Sequence, residues 1–352
     1  MNGHQEQLRL PPLQVDWVRE RCARLLQPVA LTGGTGFVGS HLLDALLAGG
    51  CSVRMLLRDR HQRGVYEARG VEVVVGDLSR PEALRALVRG AGTLMHLAGL
   101  VRASRREQFF AANARGTEQL VVAATEEGLA GRLVYVSSLA AAGPFPSPQG
   151  RAPEDPPAPI SAYGSSKLQG ERAVTSYAGP WVILRPPAIY GPRDQDVLQF
   201  FKMASKGVLV YPRGKRFLSV AFVGDVVAAI IQAAVAPHTN RIFHLGEPRP
   251  YPLEGLLRLL AEAGDLRVRM LALPAFVFRL AGLLGDGLHG LGFRRLPLTS
   301  DKVRELLAQH WVARTVESLA ALGLPEPVSF ADGARLTWAW YRRAGWLPHA
   351  KI

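Results

Sequence analysis

Short, continuous runs of apolar residues alternate with longer amphipathic segments through the first half of the chain. Six of these runs have the length of a strand: "VALTG", "SVRMLLRD", "VEVVVGD", "TLMHLAG", "RLVYVSS" and "WVILRP". Between them, apolar residues recur at helical spacing and predict helices over 37–48, 81–89, 107–127 and 163–178. Continuous apolar strands separated by helices are typical of a parallel sheet covered on both faces. The pattern predicts an α/β fold with a doubly wound parallel sheet, which binds ligands beyond the carboxyl ends of its strands.

The second half of the chain has a looser pattern. Prolines crowd residues 143–159 and predict a surface loop, and from about residue 191 mixed helices and short strands indicate a smaller second lobe. Residues 271–298 are rich in Leu, Phe and Gly, with three arginines at polar positions. Two interpretations of this last segment stay open. It is either an apolar lid over a lipophilic ligand, which could also touch a membrane surface, or a core-facing helix pair.

Composition narrows the class of protein. With 352 residues, 48% of them hydrophobic and 20% charged, the chain has the composition of a globular protein. The first residues show no secretory signal, and the longest apolar stretch, 226–236, is too short to span a bilayer, so a cytoplasmic location is expected. Two cysteines cannot build a disulfide framework, and no His/Cys spacing indicates a metal site. The net charge of +13 comes from arginines spread along the chain, so nucleic-acid binding is not expected.

A glycine array stands between the first predicted strand and the first predicted helix. In "TGGTGFVG", residues 32–39, Gly33 and Gly36 allow a tight turn that pyrophosphate oxygens can approach, while Gly39 lets the helix lie close to the sheet. Free N–H groups at the start of the helix attract phosphate. This position predicts dinucleotide binding. The expected contacts are Thr32, Gly33, Gly36, Phe37, Val38 and Gly39.

The strands that follow indicate which dinucleotide binds. An NAD enzyme usually ends the second strand with an acid that holds the ribose hydroxyls, whereas a 2′-phosphate requires a cation. Here Leu57 stands at the acid's position and Arg58 follows, which favours NADP. Arg60 or Arg63 could assist, and the alternative is NAD held by Asp59. Further cofactor contacts are expected where the next two strands end: Asp77, Leu78, Leu97, Ala98 and Gly99.

Residues suited to proton transfer come later in the chain. Hydride transfer to a carbonyl needs a group that supplies or removes the alcohol proton. Tyr163 and Lys167 stand four residues apart in "YGSSK", on one face of a predicted helix. There the lysine ammonium and the charge of a nicotinamide would lower the pKa of the tyrosine. The strand "LVYVSS" ends in two hydroxyls, and Ser138 could hydrogen-bond the substrate oxygen.

Seven motifs, taken together, resemble those of one superfamily. "TGGTGFVG", "GDL", "HLAG", "NARGT", "YVSS", "YGSSK" and "LRPPAIYGPRD" follow, over residues 28 to about 245, the order and spacing of the extended short-chain dehydrogenases/reductases, the NAD-dependent epimerase/dehydratase family. The resemblance implies a Rossmann-type fold and a catalytic set. Tyr163 would be the general acid/base and Lys167 its activator and a ribose contact. Ser138 would position the substrate oxygen, with Ser137 as the alternative.

The resemblance implies further roles and a division of the chain. Asn113 would support the cofactor and the active-site helix, while Pro186 and Ile189 would lie in the loop that runs from the nicotinamide into the substrate lobe. The expected domains are an N-terminal extension, an NAD(P)-binding Rossmann domain and a smaller, mixed C-terminal substrate lobe. Their bounds are 1–27 for the extension, 28–190 plus about 220–246 for the Rossmann domain, and about 191–219 plus 247–347 for the lobe.

The second strand is similar to the NADP-type strand of the dihydroflavonol reductase and 3β-hydroxysteroid dehydrogenase branch. The segment "GKRFLSVAFVGDVVAAI" departs, at Ala221 and Gly224, from the pattern common in sugar-nucleotide enzymes. The resemblance thus implies an NADP(H)-dependent oxidoreductase that interconverts a secondary alcohol and a ketone or aldehyde on a hydrophobic small molecule. Two alternatives stay open, a nucleotide-sugar epimerase or dehydratase with tightly bound NAD and a cofactor-binding scaffold without turnover. A homodimer is compatible with either activity.

Overall fold

A seven-stranded parallel sheet forms the centre of the molecule. The computed structural model describes residues 13–103, 105–290 and 299–348. Its strands are β1 (Val29–Thr32), β2 (Val53–Leu57), β3 (Glu72–Val75), β4 (Thr93–His96), β5 (Leu133–Val136), β6 (Trp181–Arg185), β7 (Ala188–Tyr190), β8 (Val208–Pro212), β9 (Phe217–Leu218), β10 (Val220–Phe222), β11 (Arg241–His244), β12 (Tyr251–Pro252), β13 (Arg269–Leu273) and β14 (His310–Trp311). The central sheet has the order β11-β6-β5-β4-β1-β2-β3, and every pairing in it is parallel.

Helices cover both faces of this sheet and build the rest of the molecule. They are α1 (Val15–Cys22), α2 (Phe37–Ala48), α3 (Arg63–Glu67), α4 (Pro81–Val88), α5 (Arg106–Phe109), α6 (Gly116–Glu126), α7 (Leu139–Ala142), α8 (Ala162–Thr175), α9 (Leu198–Ser205), α10 (Val223–Val235), α11 (Leu253–Glu262), α12 (Ala275–Gly290), α13 (Ser300–Leu307), α14 (Val316–Leu322) and α15 (Phe330–Arg343). A π-helical segment, Phe110–Arg115, joins α5 to α6, and a 3₁₀ turn, Arg60–Gln62, precedes α3. None of the helices in the described ranges combines the length and apolarity needed to cross a bilayer.

The alternation of side chains along the strands explains why both faces are covered. Leu31 and Met55 point into the core beneath α2 and α10, whereas Ala30 and Leu94 point into the core beneath α4 and α6. All four are fully buried. Since neighbouring residues of a strand face opposite sides, a strand that is apolar throughout needs a layer of helices on each side. The predicted α/β, doubly wound, Rossmann-type sheet is confirmed.

Two details of the prediction needed revision. The sheet has a seventh strand, β11, beyond the six that the apolar runs indicate. The helix predicted over 107–127 is interrupted by the π-helical segment, which turns Asn113 into the interior, where it is fully buried. A π-bulge of this kind leaves no clear mark on hydrophobic spacing, although such bulges are frequent at functional sites.

Helices α9, α11 and α15 share a second core, whereas α10, β11 and α14 belong to the core beneath the central sheet. Phe201 of α9 packs edge-on against Trp338 and Tyr341 of α15, with ring centroids 4.9 and 5.1 Å apart. Tyr341 donates a hydrogen bond of 2.7 Å to the carbonyl of Asp194. Short sheets, β8 with β13 and β12-β9-β14, lie among these helices. This mixed architecture agrees with the looser pattern seen in the sequence.

Candidate active site

The glycine loop between β1 and α2 is shaped by close backbone contacts. Gly33 adopts φ +76°, and a Cβ built on it would lie 2.6 Å from the backbone nitrogen of Ala98. A Cβ on Gly39 would collide with the carbonyl oxygen of Gly33. Gly36 precedes α2 in an extended conformation and gives that helix no side-chain cap. The first N–H groups of α2, including those of Phe37 and Val38, therefore lie at the turn where a phosphate fits.

A buried polar network holds the ends of β1 and β4 beside this loop. Thr32 Oγ1 lies 2.6 Å from His96 Nδ1, and His96 Nε2 lies 2.9 Å from Thr117 Oγ1. The Thr117 hydroxyl donates to the Asn113 carbonyl at 2.8 Å, so it accepts from the ring and the hydrogen of His96 is on Nε2. Burial lowers the pKa of His96 to about 3, which keeps the imidazole neutral. The segment after β4 is anchored here because the Ala98 N–H donates to Thr32 Oγ1.

Asn113 ties this segment to the helix that carries Tyr163. The side-chain Nδ2 of Asn113 donates to the Leu100 carbonyl at 2.9 Å and to Ser166 Oγ at 3.0 Å. Its side-chain Oδ1 accepts from the Leu100 N–H at 2.7 Å. The Ser166 hydroxyl in turn donates to the Tyr163 carbonyl at 2.7 Å. A Cβ on Gly99 would lie 2.8 Å from Asn113 Oδ1. The asparagine thus fixes the distance between the β4 loop and α8.

Tyr163 and Ser138 meet through their side chains. Ser138 caps α7, accepting from the Ala140 N–H at 3.1 Å, and its hydroxyl lies close enough to the Tyr163 phenol to lower the pKa of that tyrosine. Burial raises the pKa of Tyr163, while Ser138 and the ammonium of Lys302 act in the opposite direction. Among the chain's own groups burial has the largest effect, and the lowering of this pKa expected from Lys167 together with a nicotinamide stays a prediction.

Lys167 follows Tyr163 by one turn and is fully enclosed. Its Nζ donates to the Val136 carbonyl at 2.8 Å and stands 4.2 Å from the centre of the Tyr135 ring. Burial lowers its pKa to about 7, and the carboxylate of Glu171 opposes this effect. A Cβ on Gly99 would lie 3.9 Å from the ammonium. Lys167 thus faces the β4 loop beside the cofactor residues.

The other serine of the pair, Ser137, belongs to a structural cluster. Its hydroxyl donates to Glu171 at 2.5 Å, and Glu171 forms a bidentate ion pair with Arg185 at 2.9 and 2.7 Å. The side chains of the ion pair are only 2% and 3% exposed. Ser137 is thereby committed to Glu171, and of the two serines Ser138 is the one that affects the pKa of Tyr163.

Comparison with known proteins agrees with this arrangement. The sequence model of the NAD dependent epimerase/dehydratase family matches residues 29–246. The chain belongs to this family. It is 34% identical over 323 residues to a ceramide reductase from Caulobacter vibrioides, covering 91% of this chain and 96% of that protein. It is 31% identical over 267 residues to a 4-hydroxy-2-methyl-3-oxo-4-farnesyl-3,4-dihydroquinoline-1-oxide ketoreductase from Stigmatella aurantiaca, covering 73% of this chain and 79% of that protein.

Solved structures show the same fold. A UDP-glucose 4-epimerase from Thermus thermophilus, in complex with NAD, superposes with a TM-score of 0.70 and 24% identity, covering 90% of this chain and 99% of that one. Family membership and the reductase relatives establish the chain as an NAD(P)-dependent oxidoreductase of the extended short-chain dehydrogenase/reductase type.

The end of β2 carries the residues that the sequence predicts to discriminate between NADP and NAD. Arg58 is exposed directly after β2. Asp59 uses both carboxylate oxygens locally, accepting from the His61 N–H at 3.0 Å and from the Gln62 amide at 3.1 Å. Asp59 caps the 3₁₀ turn, so its carboxylate is already occupied, whereas the guanidinium of Arg58 stays exposed beside it.

Several other predicted contacts lie at the carboxyl edge of the sheet. Asp77 accepts hydrogen bonds from the Ser79 N–H at 2.8 Å and from the Ser79 hydroxyl, and these two bonds lower the pKa of Asp77. Leu78, the next residue, is half-buried. Pro186 is buried and accepts from the Leu139 N–H at 2.8 Å, while Ile189 is half-buried in β7. Leu97 borders Gly33.

A sugar-nucleotide substrate would need arginines near its pyrophosphate, and the sequence offers Arg193, Arg213 and Arg216. Arg216 is buried, and one of its nitrogens donates to the carbonyls of Pro212, Arg213 and Gly214 at 2.7–3.1 Å. Arg193 pairs with Asp44 at 2.7 Å. Arg216 and Arg193 are thus committed to structural contacts, whereas Arg213 is exposed and in no ion pair among the described residues.

Sequence reasoning missed one charged residue beside Tyr163. Lys302 of α13 places its ammonium 5.3 Å from the centre of the Tyr163 ring and 2.9 Å from the Glu305 carboxylate. The same helix holds the start of α8, because Asp301 accepts from the Ala162 N–H at 2.9 Å and Glu305 accepts from the Ser161 hydroxyl at 2.6 Å. The sequence contained no signal for this contact, which joins positions 139 residues apart along the chain.

Proposed function

We propose that this enzyme is an NADP(H)-dependent reductase that interconverts a ketone or aldehyde and a secondary alcohol on a lipophilic small molecule. The observation that carries the proposal is the position of the Ser138 hydroxyl beside the Tyr163 phenol, where it lowers the pKa of the tyrosine, one helical turn from the buried ammonium of Lys167. The names of the relatives support the substrate class, since ceramide and a farnesylated ring are both lipophilic.

The glycine loop fits a dinucleotide. Gly33 and Gly39 let the loop backbone pack so closely that a Cβ on either would collide with it, and the uncapped start of α2 lies at this turn, where its free N–H groups suit a phosphate. Thr32, Gly33, Gly36, Phe37, Val38 and Gly39 would hold the pyrophosphate, with Asp77, Leu78, Leu97, Ala98, Gly99, Pro186 and Ile189 along the rest of the cofactor. When bound, a nicotinamide dinucleotide supplies the hydride. We assign cofactor binding to residues 28–190 plus about 220–246, and substrate binding to about 191–219 plus 247–347.

The chain's own side chains would donate the proton and position the substrate oxygen. Because burial raises its pKa, Tyr163 keeps its proton at neutral pH and can donate it to a carbonyl oxygen that is being reduced. The Ser138 hydroxyl would hold that oxygen. Lys167 would contact the ribose, and Asn113 keeps the β4 loop and α8 at a fixed separation.

Replacement of Tyr163 by Phe tests the acid/base assignment. We expect Tyr163→Phe to lose at least ~10²-fold in kcat, as for a lost general acid, while NADPH affinity measured by fluorescence stays within about twofold. Tyr66→Phe, a half-buried tyrosine on α3, is the matched control. Unchanged turnover in Tyr163→Phe would refute the role. NADPH consumed in proportion to product distinguishes a reductase from an epimerase, which shows no net consumption.

The choice of NADP over NAD depends on Arg58. The Asp59 carboxylate already accepts one hydrogen bond on each oxygen within its own turn, whereas the exposed guanidinium of Arg58 is suited to pair with a 2′-phosphate. Arg58→Ala should weaken NADPH binding about tenfold or more and leave NADH binding nearly unchanged. Arg343→Ala, an exposed arginine of α15, is the control. Equal weakening of both cofactors would contradict the assignment.

A further inference from the structure

We infer that one face of α12 docks on an anionic lipid bilayer. This face, the α12 ridge, consists of Phe276, Leu280, Leu283 and Leu284. The inference deepens the proposed function and rests on it in one respect, because it states where the enzyme would meet a lipophilic substrate. The evidence for the surface itself is independent of the reaction.

The ridge reverses the usual pattern of a surface helix. Its four large side chains, at positions i, i+4, i+7 and i+8, are 66%, 56%, 64% and 60% exposed. The opposite side of α12 is buried and consists of Phe278, Gly282 and Gly285, with Gly282 so close to α13 that a Cβ would lie 2.9 Å from Val303 Cγ2. The helix buries one phenylalanine and two glycines and exposes three leucines and a phenylalanine, so most of its large apolar side chains are on the solvent side. The core-facing interpretation of this segment is therefore wrong for the four ridge residues.

Exposed apolar side chains are concentrated at this place. Twelve large hydrophobic residues are exposed in the described parts of the chain, and five of them, Leu271 and the α12 ridge, fall within residues 271–284. The other seven are six valines and Leu26, scattered from residue 15 to residue 316. Single exposed valines are ordinary for a monomer, but a contiguous patch of leucine and phenylalanine marks a contact surface.

A groove beside the ridge runs toward the candidate active site. It encloses about 820 Å³ between Leu283 and Arg279 of α12, Phe145 and Ile160 of the loop before α8, and the Val303 and Leu307 side of α13. The opposite side of α13 carries Asp301, Lys302 and Glu305, which contact the start of α8 and the Tyr163 ring. One helix thus separates an apolar groove from the tyrosine.

The charges around the ridge favour a bilayer over a second copy of this chain. Arg279 is exposed between Phe276 and Leu280, and Arg213, whose N–H donates to the Leu273 carbonyl at 2.8 Å, stands exposed near the start of α12. Neither arginine is in an ion pair among the described residues. The one acid of the ridge helix, Asp286, accepts from the Ser300 N–H at 3.2 Å. A twofold contact through the ridge would set these cations against each other, whereas anionic headgroups would neutralise them.

Vesicle sedimentation with the full-length protein tests the inference. We expect binding to vesicles of phosphatidylglycerol and phosphatidylcholine, and at least about tenfold weaker binding for Phe276→Ser/Leu284→Ser, because two apolar side chains no longer enter the interface. The matched control, Val65→Ser/Val316→Ser, removes two side chains that are 63% and 62% exposed elsewhere and should bind like the wild type. Arg279→Glu should weaken binding to the anionic vesicles, and Arg343→Glu should do so much less.

The other outcomes would overturn the inference. The first is a wild-type protein that does not bind vesicles. The second is a ridge variant that binds as well as its control. The third is a ridge-dependent dimer, detected by sedimentation velocity, which would identify a second copy as the occupant. NADPH affinity, measured on every variant, reports folding and the cofactor site separately, so a failure of docking is distinct from a failure of the proposed function.

Discussion

Lys302 provides the sharpest test of the electrostatics at Tyr163. Its ammonium lies 5.3 Å from the centre of the phenol ring. At an effective dielectric constant of about 20, a unit charge at that distance stabilises the phenolate by about 3 kcal/mol, or about two pKa units. The Lys302 side chain is 38% exposed and Glu305 lies 2.9 Å from it, so solvent screening and the carboxylate reduce the effect to about one unit. Lys302→Met should therefore raise the pKa of Tyr163 by about one unit.

Direct titration of the phenol measures this shift without a substrate. Carbon-13 labelled tyrosine, with Tyr163→Phe to assign the signal, gives the pKa in each variant by NMR. In the alcohol-oxidising direction, where the phenolate is needed, the rate below the pKa should fall about tenfold and the pH profile should move upward by about one unit. Lys302→Arg, which keeps the cation, should restore most of the effect. Lys206→Met, at an exposed lysine after α9, should have none. A Lys302→Met profile that superimposes on the wild type would refute the reasoning.

Two further predictions concern the loop and the core. Gly39→Ala forces a Cβ onto the Gly33 carbonyl oxygen and should lower both the melting temperature and, by tenfold or more, the NADPH affinity. Gly64→Ala, in α3 with nothing near its Cβ position, should be neutral or slightly stabilising, and a similar loss in both variants would contradict the packing argument. For Asp225, burial raises the pKa to about 8, so the folded state holds a proton that the unfolded state loses above pH 4, and stability declines as the pH rises toward 8. Asp225→Asn keeps an acceptor for the Val328 N–H. In denaturant titrations its free energy of unfolding should exceed that of the wild type by a margin that grows between pH 4 and 8. A margin that stays constant with pH would rule this out.

The sequence alone was enough to predict those parts of the candidate site that depend on residues close together along the chain. Glycines at 33, 36 and 39 need only the strand before them and the helix after them, so their loop was predictable. Tyr163 and Lys167 share a helix face for the same reason. The π-helical turn at Asn113 was not predictable, because one extra residue per turn leaves the apolar pattern almost unchanged while it redirects the side chain.

The direction of the Tyr163 pKa shift also depended on tertiary contacts. Spacing along α8 indicated a cation one turn away, but the ammonium of Lys167 is bonded to the Val136 carbonyl. The cation that acts against burial comes from α13, which packs on α8 from the far end of the sequence. Spacing within one helix carries no information about a group that arrives from another element.

The same helix, α13, connects the two regions where the chemistry and the apolar surface lie. Its Asp301 and Glu305 hold the first turn of α8, while Val303 and Leu307 line the groove beside the α12 ridge. Since the ridge residues point to solvent and Lys302 points to Tyr163, the ridge variants should leave the tyrosine titration unchanged and Lys302→Met should leave vesicle binding unchanged. Measuring both properties on both sets of variants separates a surface that only positions the enzyme from a helix that also transmits its contacts to the proton donor. If a ridge variant shifted the Tyr163 pKa, α12 and α13 would have to move together, and the packing of Gly282 on Val303 would be the contact that couples them.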